Sequence, residues 1–146
     1  MMPKPKLPLV SPDATEAQFY EALQQADIDK LMAIWSDDED IACVHPGGLR
    51  LLGAGAIRAS FEAIFANGAI DVHPDKVRRL HTHASAVHHV LERVQAQTDE
   101  GRQTAFAIVT NVYLLTEQGW RMVLHHASPG TTRELQEISE APSTLH

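Results

Sequence analysis

Histidine is the side chain that this sequence supplies most freely for chemistry. Nine occur in 146 residues, and six of them fall in three tight groups, His81-Thr82-His83, His88-His89 and His125-His126. An imidazole titrates near pH ~6.5, so it suits proton transfer, and its neutral form is a common metal ligand. Ligation needs convergence. Along a strand His81 and His83 point the same way, but adjacent pairs such as His88-His89 point to opposite faces, so no three-ligand set is evident. No Cys or carboxylate spacing completes one, and neither a metal nor a cofactor is expected. No activated nucleophile is apparent either, which leaves acid–base work. Glu92 lies inside an apolar run, where a charge must pair or line a wet cavity, and Arg78, Arg79 and Arg121 are its candidate partners. The run Asp37-Asp38-Glu39-Asp40 reads as a solvated loop.

Helices come first among the elements that must position these groups. Asp13 can cap a helix through Ala26, with Glu16 three residues on completing a box-like start. A second helix is expected from Asp27 to Ser36, with Ile28, Leu31, Met32 and Trp35 on one face. A short apolar run, Ile41 to Val44, leads through His45 into the turn Pro46-Gly47-Gly48, and a third helix follows from Ala54 to Ala66. The period then changes to strands over Val77 to Thr82, Val87 to Ala96, Arg102 to Thr116 and Trp120 to Ala127. Their connections are too short for crossover helices, so the pairing is antiparallel. The stretch around Ile108 is apolar on both faces, so both should be buried. Three helices cover only one face of a sheet, and a homodimer formed through the other is expected.

Bulk properties narrow the class. With 12 Lys+Arg against 19 Asp+Glu the formal charge is −7, which argues against a nucleic-acid binder. No run approaches the roughly 18 apolar residues of a membrane span. The first residues lack a secretory signal pattern, and the lone Cys43 cannot form an internal disulfide, so a cytoplasmic location is expected. The expected organisation is a flexible arm over residues 1–12, one domain over 13–132 and a frayed tail over 133–146.

Several motifs carry a family resemblance. Ala26-Asp27-Ile28-Asp29-Lys30-Leu31 followed by Trp35-Ser36-Asp37-Asp38 resembles the second helix of the nuclear transport factor 2-like superfamily. Cys43-Val44-His45-Pro46-Gly47-Gly48, with Gly53 and Ile57, is similar to its first strand and third helix. Thr110-Asn111-Val112-Tyr113 and Gly119-Trp120-Arg121-Met122-Val123 through His126-Ala127-Ser128 resemble its last two strands. The match is to the SnoaL-like branch, over residues 14 to 130. It implies an α+β cone, a strongly curved, mostly antiparallel sheet wrapped around three N-terminal helices, with a pocket at the open end.

The resemblance also implies a site. It places His45 where ketosteroid isomerases carry their proton-moving carboxylate; the same histidine can instead brace the turn that follows it. The superfamily pattern turns the Trp120, Met122, Leu124 and His126 face inward, so His126 should approach His45 and share acid and base roles, or merely satisfy a buried polar partner. The walls would be Trp35, Phe61, Phe65 and Trp120, residues that also serve as core, with Asn111 helping to orient the ligand. Phe19 stands where the isomerases place a tyrosine, and Tyr20 is rotated from that position by about 100°, so steroid isomerisation is not expected. What remains is a domain binding a small apolar or polyketide-like molecule in a mostly apolar pocket. If it is an enzyme, it would be a cofactor-independent isomerase, cyclase or lyase. The alternative is a non-enzymatic dimerisation or interaction domain.

Overall fold

The computed structural model describes residues 9–130, so residues 1–8 of the expected arm and the whole of the expected tail lie outside the described residues. The first helix, α1 (Pro12–Gln25), is capped by Ser11, whose Oγ accepts from the Ala14 N–H at 3.0 Å, with Pro12 pre-set for the first turn. Asp13 is therefore not the cap, and Glu16, expected to complete a capping box, is buried against the sheet instead. Helix α2 (Ile28–Met32) starts at Asp27, whose carboxylate accepts from the Lys30 N–H. It is shorter than the sequence predicts, because the chain leaves helical geometry to pair Trp35 with Met122 and to donate the Ser36 N–H to the Met122 carbonyl.

Strands β1 (Ala42–Val44) and β2 (Arg50–Leu52) form a small antiparallel hairpin that the sequence reading did not anticipate beyond its first strand. Gly47, at φ 71, supplies the left-handed residue of its turn. Helix α3 (Ala54–Phe65) buries Ile57 and Phe61. The long strands β3 (Asp71–His81), β4 (Ser85–Thr98), β5 (Gly101–Thr116) and β6 (Gly119–Gly130) complete a six-stranded sheet in the order β2-β1-β6-β5-β4-β3. All pairs are antiparallel except β1 with β6. The result is the expected α+β architecture, helices gathered against one face of a curved, mostly antiparallel sheet. Strand β3 begins earlier than periodicity suggests. Its Pro74 is tolerated because β3 is an edge strand, and a bulge between Asp75 and Arg78 interrupts the alternation.

A second bulge governs the site. Strands β5 and β6 stay in register from Phe106↔Gly130 to Val112↔Leu124, then step to Tyr113↔Met122, leaving Val123 as an extra residue. An inserted residue reverses which side chains face inward on either side of it. The core sits between the helices and the inner face, around Phe19, Leu31, Ile57, Val90, Val109 and Tyr113. The outer face keeps apolar side chains near solvent, with Leu80 75%, Val87 37% and Leu114 41% exposed. Leu9 is buried, accepts the Trp120 N–H at 2.9 Å and lies so close to Gly119 that a Cβ there would meet its carbonyl oxygen at 2.8 Å.

Candidate functional site

Register aligns a polar row across the inner face. His88 on β4 faces Asn111 on β5, Asn111 faces His125 on β6, and His125 faces Cys43 on β1. All four side chains are buried, and helix α1 lays Glu16 and Tyr20, one turn apart, over them. A single oxygen of Glu16 accepts from His88 Nδ1 at 2.8 Å, Tyr113 Oη at 2.6 Å and Asn111 Nδ2 at 3.3 Å. Tyr20 donates to Glu92 at 2.7 Å and accepts from Asn111 Nδ2 at 3.3 Å. Glu92 thus pairs with a tyrosine 72 residues away, not with any of the three arginines that the sequence offered. Tyr20, expected to point elsewhere, has its hydroxyl in this cluster.

Beside the row lies a cavity of about 210 Å3. Its walls are mostly apolar, built from Phe19 and Leu23 of α1, Phe61 and Ile64 of α3, and Val72, Val94 and Ala107 of the sheet. Its polar wall is His45, Glu92 and His125. The His45 ring meets Phe61 edge-on at 5.0 Å, and the His125 ring lies 5.0 Å from that of Phe19.

The hydrogen-bond network assigns the tautomers. Ser60 gives its proton to the Ile57 carbonyl, so its Oγ accepts from His45 Nε2–H at 3.0 Å and the lone pair of His45 is on Nδ1. Both protons of the Asn111 amide are used, so its Oδ1 accepts from His125 Nδ1–H at 2.7 Å and the lone pair of His125 is on Nε2. Burial holds His45 below its ordinary value. Burial, then the nearby charges of His45 and His126, push His125 down to about 3. Both rings are therefore neutral at pH ~7 and act as hydrogen-bond partners rather than cations. Glu92 moves the other way. Burial raises it to about 7, against the lowering effect of the Tyr20 hydrogen bond and with a further push from Glu16. Burial and the neighbouring Glu92 hold the Tyr20 phenol well above its usual range, and burial takes the Cys43 thiol to about 12.

Of the residues singled out from sequence, His45 and Phe61 line this cavity, while Asn111 stands behind it and orients His125. His126 is exposed and points away, and His125 takes the inward position, because the Val123 bulge shifts the alternation that assigned them. Phe65 packs on Phe61, and Trp35 and Trp120 pack in the core away from the cavity. His125, Tyr20, Glu16 and the partner of Glu92 are what the sequence reading missed or misassigned, whereas Glu92 itself lines the cavity as one of its two expected roles. Asn111 in the middle of an otherwise apolar strand, and Glu16 with Tyr20 at i, i+4, were the signals available. One further set converges that the spacing of the histidines concealed. Asp13, His81 and His88 bring their ligand atoms within 4.8 Å of one another, because α1 supplies the third member.

The chain matches the family model of the SnoaL-like domain over residues 13–132. No curated protein matches it. Among solved structures it is similar to a protein of Thiobacillus denitrificans, provisionally named a calcium/calmodulin-dependent protein kinase type II association domain. That likeness has 31% identity and a TM-score of 0.77, over 86% of this chain and 100% of that one. It is also similar to a protein of Streptomyces avermitilis, provisionally named a dehydratase of the nuclear transport factor 2-like family, at 27% identity and a TM-score of 0.73, over 82% and 94% of the two chains. The kinase type II hub of S. rosetta shares the fold at 19% identity and a TM-score of 0.66, over 87% and 100%. The family match over most of the chain and these likenesses to its fold and sequence make one assignment: the chain belongs to the SnoaL-like domain family, within the nuclear transport factor 2-like superfamily.

Proposed function

We propose that the chain binds a small, mostly apolar molecule carrying one oxygen function in the His45–Glu92–His125 cavity and transfers a proton to or from it through Glu92. The observation that carries this reading is a buried carboxyl on the wall of an apolar cavity, held by one donor and titrating at about 7. A group with that pKa is present in both acid and base forms at neutral pH, the condition under which general acid–base catalysis works best. In its protonated form Glu92 donates a hydrogen bond to a ligand carbonyl or hydroxyl; in its ionised form it takes a proton. The lone pairs of neutral His45 and His125 complement it as acceptors. The supported chemistry is isomerisation or elimination by proton transfer, and the dehydratase name of the Streptomyces avermitilis structure fits the second.

Size limits the ligand. A cavity of about 150 Å3 holds benzene, so 210 Å3 suits one substituted ring or a short branched chain. That is smaller than the fused rings of a steroid or an aromatic polyketide, and the polyketide-like ligand suggested by the resemblance is narrowed to a fragment of that size. The test is a thermal-shift screen of single-ring ketones, hydroxy ketones and phenols at pH 6 and pH 8, with wild type and Glu92→Gln. Ligands that stabilise wild type and bind the variant without turnover support the role. Equal turnover by both proteins removes Glu92 from it.

Assembly is a second part of the proposal. The outer face of the sheet leaves Val87 and Leu114 partly exposed, with Val112 half-buried beside them and Ile108 half-buried further along β5, a surface suited to a second copy of the chain. The association-domain name of the Thiobacillus denitrificans structure agrees with it. Sedimentation at micromolar concentration should show a dimer or larger species, and Leu114→Lys should return it to monomer. A wild-type monomer would rule out this face as an interface.

A further inference from the structure

The start of α1 and the β3–β4 hairpin meet at a place the cavity does not use. His88 on β4 is fully buried, and its Nδ1 faces Glu16, a carboxylate that in its charged form only accepts. Its proton therefore sits on Nδ1, and in the neutral ring Nε2 is a lone pair aimed outward. Two groups stand in front of that lone pair. His81 Nε2 lies 2.8 Å away, and Asp13 Oδ1 lies 3.8 Å away. Both side chains are solvent-accessible, so an ion can reach the cluster without the fold opening.

The geometry points to a divalent transition-metal site of the zinc type, formed by Asp13, His81 and His88. Two imidazoles and one carboxylate are a donor set that suits zinc and its neighbours. A tetrahedral ion about 2.0–2.1 Å from each nitrogen separates two of them by roughly 3.3 Å, so the His81 ring, exposed at the end of its strand, needs to withdraw by about half an ångström. The proton now lying between the two rings moves to His81 Nδ1, and no net proton is released from a neutral pair.

Glu16 is the supporting observation. A metal-ligating histidine commonly donates its other N–H to a carboxylate, which fixes the ring and strengthens the donor. Here that carboxylate is itself held by Tyr113 and Asn111. One charge opposes the ion. Arg79 Nε donates to Asp13 Oδ1 at 2.8 Å, but its side chain is 45% exposed and free to swing into solvent. Three protein ligands leave at least one position open, the arrangement of a site that accepts an exogenous ligand rather than of a closed structural centre.

The test uses the full chain without an affinity tag, stripped with chelator and titrated with Zn2+ by calorimetry and with Co2+ by visible absorption. Wild type should bind one equivalent of Zn2+, melt higher in its presence, and give the intense d–d bands of tetrahedral Co2+. His81→Ala and Asp13→Asn, both at exposed positions, should keep the metal-free melting curve and lose saturable binding. Glu16→Gln, which still accepts from His88, should weaken binding by about 10–100-fold. Arg79→Gln should tighten it. Absence of a one-to-one complex in wild type, or wild-type affinity in His81→Ala, would overturn the site. Unchanged or weaker affinity in Arg79→Gln would remove Asp13 from the ligand set.

Discussion

Two buried glutamates on the inner side of the sheet have opposite surroundings. Glu16, on α1, gives one oxygen to three donors and is not among the residues lining the cavity. Glu92, on β4, has one donor, Tyr20, and faces an apolar cavity. They differ little in depth, at 5% and 7% exposed. What separates them is the number of donors that replace water. A buried carboxylate with three hydrogen bonds is a structural anchor, whereas one with a single bond and open space is poised to exchange its proton.

Removing the anchor should have the largest effect. Glu16→Ala strips the acceptor from buried His88, Tyr113 and Asn111, and urea unfolding should show a loss of about 3–5 kcal/mol. A smaller loss would mean that the three donors find other partners, and the contrast would weaken. The Glu92 carboxyl should behave the opposite way. Its folded value, about 7, lies above its ordinary 4.5, so its contribution to stability is present in full below 4.5 and is lost as pH rises through 7. The shift corresponds to something on the order of 3 kcal/mol. Glu92→Gln should therefore be more stable than wild type at pH 8 and differ little at pH 4, measured by the same unfolding curves. His125 carries the reverse dependence. Its folded value of about 3 lies below its ordinary 6.5, so its contribution is present above 6.5 and fades as pH falls toward 3. The two slopes oppose each other in mild acid, and wild type should show a broad stability maximum there that Glu92→Gln shifts upward in pH.

Finer changes sharpen the comparison. Tyr20→Phe removes the one hydroxyl that donates to Glu92 among the described residues and should cost about 1 kcal/mol while raising the Glu92 pKa further, readable by NMR titration of the carboxyl carbon. The smallest effect belongs to the exposed neighbour of the site. His126→Ala should change stability by less than about 0.5 kcal/mol and leave ligand binding untouched, whereas His125→Ala should abolish binding.

Much of the architecture was legible because periodicity reports burial directly. Stripes such as Ile57, Phe61 and Ile64 mark α3, and the long apolar run around Ile108 marks β5. Strand β2 was not legible, since three residues of which only the middle one is half-buried carry no period. In the candidate site, His45 and Phe61 could be placed from their turn and stripe. The partner of Glu92 could not, because pairing across 72 residues depends on how α1 sits on the sheet. Glu16 suited the capping box of Asp13 equally well by spacing, and only Ser11, two residues before Asp13, shows that the cap was already supplied.

The extra residue in β6 has a consequence for how related chains should be aligned. Because Val123 resets the alternation, the imidazole that reaches the cavity is chosen by a count of residues and not by residue type. A regular ladder that kept Val123 but lost the bulge would act as a frameshift in three dimensions. Every side chain on one side of Val123 would exchange inside for outside, and His126 would replace His125 with no change in the histidine motif itself, whereas deleting Val123 together with its bulge would leave His125 in place. Two homologues sharing the pair His-His but differing in this bulge would then present different chemistry to the same ligand, so the bulge has to be aligned along with the residues.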